Sequence, residues 1–160
     1  MPPWPEPVER VSAVLRSAAV DARLEEFPAG TRTANDAAAA IGCDLSQIVK
    51  TVVLVCDGAY VLALVPGDRR ADEALVADAL SAVEVRIARP EEVLRATGFE
   101  PGAVAPFPVR AVAHTLMDKD FFRHPLVWIG AGSPAHMAAL PPGELQRLTR
   151  ATVFGVESDG

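Results

Sequence analysis

Hydrophobic positions in this chain recur with two periods, and switches between them mark its elements. Over residues 5–19, Val8, Val11, Val14, Leu15 and Ala18 fall three or four apart, the spacing of one face of an amphipathic helix. Residues 23–27 read as a short strand ended by Pro28 and Gly30. Thr33 suits the N-cap of a helix reaching Ala40, with Gly42 as its stop. A short helix at 45–48 leads into Gln47-Ile48-Val49-Lys50-Thr51-Val52-Val53-Leu54-Val55, an apolar, β-branched run that reads as a buried strand. Asp57-Gly58 signals a hairpin turn, residues 60–65 supply the returning strand, and Pro66-Gly67-Asp68 breaks it. A helix follows over 72–80, a strand over 83–87, and a helix from Pro90 to Thr97 closed by Gly98. Residues 99–109 form a loop rich in Pro, Gly and Ala. Strands at 112–115 and 126–129, a helix at 142–148 and a strand at 152–156 complete the pattern.

Strands and helices do not alternate as in a parallel βαβ sheet, and the Asp57-Gly58 turn demands an antiparallel pair. The expected fold class is therefore α+β, with a mixed, mostly antiparallel sheet flanked by helices. At 160 residues the chain fits one domain over 1–160, with the N-terminal helix and strand in residues 1–30. No repeat or linker is visible, and only the termini look loose. Hydrophobic residues make up 50%, enough for a core, yet no apolar run is long enough to cross a bilayer. The start, Met1-Pro2-Pro3-Trp4-Pro5-Glu6, lacks the basic and apolar stretches of a signal peptide. Cys43 and Cys56 have no zinc or redox spacing and are expected as buried reduced thiols of a cytoplasmic protein.

Against 15 Lys and Arg stand 21 Asp and Glu, a net charge of −6 that argues against sequence-blind nucleic-acid binding. A local basic patch facing one end of an RNA stays compatible with that charge. Lys50, Arg69, Arg70, Arg110, Lys119 and Arg123 supply one if the fold gathers them, although scattered solvated charges are the plainer reading. Lys50 itself has two readings. It either sits at the strand mouth and extends its ammonium into water, or marks a site where a partly buried cation has work to do.

Two glycine-containing loops are candidates for the rest of a site. Gly102-Ala103-Val104-Ala105-Pro106 is either an ordinary connection or a backbone wall whose small side chains admit a ligand and whose N–H groups bind a carbonyl oxygen. Gly130-Ala131-Gly132-Ser133-Pro134 follows the apolar Val127-Trp128-Ile129 and has the same two readings. Neither is a phosphate loop. His114, His124 and His136 lack metal spacing, so no metal or other cofactor is expected. His136, three residues after Ser133, is the histidine nearest a candidate site. No Gly-x-Ser-x-Gly elbow is present, and nothing places an acid or base beside either cysteine.

In order and spacing these pieces resemble the YbaK family of aminoacyl-tRNA deacylases, which includes the Cys-tRNA and Ala-tRNA editing proteins and the editing insert of bacterial prolyl-tRNA synthetases. The matching parts begin with Thr33-Ala34-Asn35-Asp36-Ala37-Ala38 through Ile41-Gly42, then Gln47-Ile48-Val49-Lys50-Thr51. They continue with the Gly-x-x-x-Pro loop from Gly102 to Pro106, with Asp118, with the strand and loop from Val127 to Ser133, and with Leu145-Gln146-Arg147-Leu148-Thr149. The resemblance implies a YbaK-like, partly barrel-like sheet and a trans-acting hydrolase that removes a small amino acid such as Ala, Cys or Pro from mischarged tRNA. It implies Lys50 as the catalytic lysine and Gly102, Ala103, Val104, Ala105 and Pro106 as the wall that positions the substrate carbonyl. Gly130, Gly132, Ser133 and His136 would complete the substrate pocket. The implied partner is the acceptor end of an aminoacyl-tRNA, with a synthetase as a further candidate and no membrane.

An aminoacyl ester is already activated, so hydrolysis needs a placed water, charge stabilisation of the oxyanion and orientation; the substrate's own ribose hydroxyl can direct the water. The chain departs from the family loop at Ala103, Ala105 and Pro108, where a second glycine, a serine and a further glycine are common. Those departures motivate an alternative, a module that binds tRNA or an aminoacyl group without turnover. A hydrolase of other small acyl esters is a third reading.

Overall fold

The structure, a computed structural model, describes residues 4–155. Residues 1–3 and 156–160 lie outside the described residues. The expected looseness of the termini and the end of the last predicted strand at Val156 therefore fall outside them too.

Helix α1 (Glu6–Ser17) starts with Pro7 and two acidic residues in its first turn, which suit a helix N-terminus, and buries Val8, Val11 and Leu15. Strand β1 (Arg23–Glu26) follows. Helix α2 (Ala34–Ile41) is capped by Thr33, whose hydroxyl accepts from the Asp36 N–H at 3.0 Å, and is closed by left-handed Gly42. A 3-10 turn over Leu45–Gln47 feeds β2 (Val49–Cys56). Asp57 and Gly58 both adopt positive φ, as a two-residue hairpin turn requires, and return the chain in β3 (Ala59–Pro66). Next come α3 (Glu73–Leu80), β4 (Val85–Ile87), α4 (Pro90–Thr97) and, after the long loop, β5 (His114–Asp118). A 3-10 turn, β6 (Val127–Ser133), β7 (His136–Leu140), α5 (Pro142–Thr149) and β8 (Thr152–Phe154) complete the chain.

The fold is α+β, as expected, with the strands divided between two sheets. One is antiparallel, in the order β1-β7-β6; the other is mixed, in the order β4-β2-β3-β5-β8, with β3–β5 and β5–β8 parallel. A parallel bridge from Ile48 to Trp128 links them, and among the described residues no closed barrel forms. The main core lies between the sheets. Val49, Leu64 and Met117 from the mixed sheet meet Ile129, Ala138 and Leu140 from the other, sealed by Val11 and Leu15 of α1 and Leu145 of α5. The opposite face of β2 and β3 packs Leu54, Ala63 and Val65 against Val76 of α3. Burial on both faces explains why β2 and β3 read as unbroken apolar runs.

Strand β7 was not expected from the sequence. His136-Met137-Ala138-Ala139-Leu140 holds no β-branched residue; it is extended because β1 pairs along one edge and β6 along the other. Strand β6 also runs four residues past the predicted end at 129, carried through Gly130 to Ser133 by a register shift against β7.

Candidate active site

The site forms where β2 is left unpaired on one edge. β4 pairs with β2 at Leu54, Val55 and Cys56, and the Ala88 N–H reaches the Val53 carbonyl at 3.0 Å, so between there and the Ile48–Trp128 bridge no strand pairs along that edge. Residues 48–52 there line a cavity of about 250 Å³. The rest of its lining comes from Thr31, Arg32 and Thr33 at the entry to α2, from Gly102, Ala103 and Val104, and from Gly130, Ser133 and Met137. Ala37, Ile48 and Met137 give it an apolar side.

Lys50 shares the strand face of Val52 and Leu54, and Thr51 that of Val49 and Val53. The Lys50 ammonium donates to the backbone carbonyl of Arg69, which leaves it two further N–H donors. Burial lowers the pKa of Lys50 from its ordinary value; Asp68 opposes that shift and Arg70 reinforces it. The Arg69 guanidinium is in turn held by Asp118, at 3.3 Å, and by Asp120. Asp118 is fully buried, and burial raises its pKa while the Asp120 N–H and Arg69 pull it down. Buried Asp118 thus fixes the Arg69 side chain, and the backbone carbonyl of the same residue fixes the ammonium of Lys50. At the start of the strand, Gln47 donates to the Leu126 carbonyl at 3.2 Å and Ser46 bonds His124 at 3.2 Å, which fixes where β2 enters the site.

The facing loop is shaped by close backbone packing. Gly102 adopts φ +85°, a left-handed value that favours glycine. A side chain at Gly130 would come 2.6 Å from the Val104 carbonyl, so glycine there lets the loop lie directly on β6. The Ala103 N–H already donates to the Glu100 carbonyl at 3.0 Å; those of Gly102 and Val104 donate to no protein acceptor among the described residues. Ala103 lies outside the positive-φ region, so its backbone does not require the glycine common at that position.

Of the residues singled out from the sequence, the cavity brings together Lys50, Gly102, Ala103, Val104, Gly130 and Ser133. Ala105 and Pro106 are instead buried behind the wall, Ala105 within the main core. Gly132 faces the first turn of α1, where a side chain would meet the Pro7 carbonyl at 2.7 Å. His136 is buried behind Ser133, bonded through Nδ1 to the serine hydroxyl and edge-on to Trp4. Burial lowers the His136 pKa, opposed by Glu26, so the ring is neutral near pH 7 and can accept the serine proton. That hydroxyl also accepts from the Ala135 N–H at 3.0 Å, the geometry of a turn-closing serine. Of the basic residues named earlier, Arg69 and Arg123 line a neighbouring polar cleft with Asp44, Asp68 and Asp120, while Arg110 lies beside Gly98. Among the polar groups that the sequence did not single out, Arg32 and Thr51 line the cavity, the buried Thr51 hydroxyl without a hydrogen-bond partner among the described residues, and the Arg69 carbonyl holds Lys50 from beside it. The orphan Thr51 hydroxyl leaves no local sequence signal, because a threonine in a strand is ordinary.

The sequence pattern of the aminoacyl-tRNA editing domain matches residues 28–148, which include the Lys50 strand, the Gly102 loop and every cavity wall. The chain belongs to the aminoacyl-tRNA editing domain family. The N-terminal helix α1 precedes the matched segment. Proline–tRNA ligase of Acidithiobacillus ferrooxidans is 40% identical over 77 residues, 48% of this chain and 14% of the ligase. That of Xanthomonas oryzae pv. oryzae is 34% identical over 113 residues, 66% of this chain and 20% of the ligase. The editing-domain chain thus spans a small part of the length of these curated relatives. A solved structure described as a proposed trans-editing enzyme for prolyl tRNA synthetase superposes with a TM-score of 0.88 at 34% identity, covering 96% of this chain and 98% of that one. Among the described residues no helix is long and apolar enough to cross a membrane, and no cluster of His, Cys, Asp and Glu has the makings of a metal site.

Proposed function

We propose that this editing-domain protein acts in trans to hydrolyse the ester of mischarged aminoacyl-tRNA. The observation that carries the reading is one small cavity lined both by Lys50 and by the Gly102–Val104 loop. The aminoacyl group enters against Ala37, Ile48 and Met137, and its ester carbonyl lies between the ammonium and the loop. Lys50 places positive charge where the oxyanion develops, and the uncommitted N–H groups of Gly102 and Val104 are the donors on the loop side. Water attacks the carbonyl carbon, the tetrahedral intermediate collapses, and the ribose oxygen leaves with a proton. The ribose hydroxyl beside the ester orients the water, so the protein supplies position and charge rather than a nucleophile.

A volume of about 250 Å³ suits a small amino acid. The likeness to proline–tRNA ligases and to a trans-editing enzyme for prolyl tRNA synthetase makes a proline tRNA carrying the wrong small amino acid the first candidate. One methylene is worth only about 1–3 kcal/mol in such a pocket, so Ala, Cys, Pro and Ser esters belong in one panel. Faster-than-spontaneous deacylation of at least one mischarged tRNA is the expected result. The second reading, a binding module without turnover, rests on the departures at Ala103, Ala105 and Pro108. It predicts tRNA binding with no single-turnover hydrolysis of any member. The burial of Ala105 weighs against it, since a serine lost there removes no group from the cavity.

A further inference from the structure

A second cavity, of about 440 Å³, adjoins the first and shares Arg32, Ala103 and Ser133 with it. Its size lies within the range of small-molecule sites, roughly 300–1,000 Å³. Its chemistry differs from that of the Lys50 cavity. Arg10 lies with its guanidinium 4.7 Å from the centre of the Phe99 ring, held there by the Gly98 carbonyl at 3.0 Å and by Glu6 at 3.0 Å. Arg32 is exposed and has neither a hydrogen bond nor an ion pair among the described residues. Its Nη1 lies 3.3 Å from where a side chain on Gly102 would begin, so the glycine makes room for it at the edge common to both cavities. The Arg110 guanidinium packs beside Arg10 over Gly98, where a side chain would come within 2.7 Å of it. Glu6, already paired with Arg10, and Glu100 are the carboxylates beside these three arginines, so the spot is locally cationic in a chain of net charge −6.

We infer that this second cavity holds the terminal nucleotide of the tRNA, its 5′-phosphate on Arg32 and its base stacked on Arg10. The inference rests on the deacylase reading for the identity of the ligand. An aminoacyl ester joins a small acyl group to a nucleotide, and such a substrate needs two contiguous chambers with the ester at their shared edge. The shared residues Arg32, Ala103 and Ser133 mark that edge. A guanidinium fixed against an aromatic ring offers its outer face to a base, a mode common in single-stranded RNA recognition. An unpaired arginine beside it supplies the fork geometry that phosphate binds.

The test has a turnover arm and a binding arm. Alanyl esters of adenosine with and without a 5′-phosphate are compared as minimal substrates. Wild type is expected to favour the phosphorylated ester by roughly tenfold in kcat/KM, the scale of one charge-assisted hydrogen bond to phosphate. Arg32→Ala collapses that ratio towards one, and Arg32→Lys keeps part of it. In the binding arm, adenosine 5′-monophosphate is titrated into the protein and followed by amide NMR. Shifts at Gly98, Phe99, Gly102 and Ala103 that weaken in Arg32→Ala, and that inorganic phosphate alone does not reproduce, support the subsite. They do so even if no ester is turned over, an outcome that sinks the deacylase reading alone. Unmoved amides, or shifts unchanged by Arg32→Ala, overturn the subsite. So does a wild-type enzyme that takes the free nucleotide yet gives the phosphorylated ester no advantage.

Discussion

Lys50 carries the proposed chemistry because its surroundings set both its charge and its aim. Burial holds its pKa below the ordinary value of 10.5, so the ammonium is lost at lower pH than in a solvated lysine. If the ammonium stabilises the oxyanion, enzymatic deacylation, corrected for spontaneous hydrolysis, falls on an alkaline limb centred below 10.5. An activity rising steadily through that pH would contradict the role. Asp118 acts on Lys50 only through Arg69, which makes it a positioning residue. Asp118→Asn should lower kcat with little change in KM and displace the alkaline limb, whereas damage confined to folding would leave the limb where it is. Ser133 tests the nucleophile directly. With water attacking, Ser133→Ala retains activity within about tenfold, whereas loss of a covalent nucleophile would cost on the order of 10⁶.

At the scale of elements, the site depends on an edge and a loop meeting at fixed distance. The short pairing of β4 leaves the Lys50 segment of β2 open, and Gly130 lets the Gly102 loop rest on β6. Gly130→Ala pushes on the Val104 carbonyl and should cost about 10²-fold in kcat/KM, the scale of an ångström's misplacement. Helix α4, which delivers the chain to Gly98 and the loop, is tied down by Glu92. That carboxylate accepts from the Arg86 guanidinium at 2.8 and 2.9 Å and from the Arg89 N–H at 2.9 Å. The Arg86 hydrogen bonds, then the Arg89 N–H, lower its pKa from 4.5 to about 2. A carboxylate with a depressed folded-state pKa stabilises the fold above its unfolded pKa and loses that contribution as pH falls through the folded one. Thermal melts of the wild type should therefore lose stability between pH 4.5 and about 2, and Glu92→Gln should show a shallower loss over that window. Much of this level was legible in the sequence: the caps at Thr33 and Gly42, the Asp57-Gly58 turn, and the lysine strand with its Gly-x-x-x-Pro loop. What stayed hidden depended on tertiary pairing. Ala-rich β7 is a strand only because it has two neighbours, and Gly132 and His136, within three residues of Ser133, turn away to pack on α1 and Trp4.

For the whole molecule, the proposed substrate is a polyanion and the chain carries a net charge of −6, so the account requires contact to be local. The fold sets Arg32, Arg10 and Arg110 near the loop end of the site and pairs Arg69 with acids, which no linear pattern of charges discloses. Binding to tRNA should accordingly show a shallow salt dependence, with a log–log slope equivalent to few phosphate contacts at about 0.7 per contact on single strands. The central claim is that Lys50 drives ester hydrolysis in the cavity it lines. Its most direct test is the single-turnover deacylation rate of the best mischarged tRNA in the panel, wild type against Lys50→Ala, with folding of the variant verified by its melting profile. The account predicts a loss on the order of 10²–10³ in rate with tRNA binding largely kept, the scale of removing one oxyanion-stabilising group. A folded Lys50→Ala variant that deacylates as fast as wild type would contradict it.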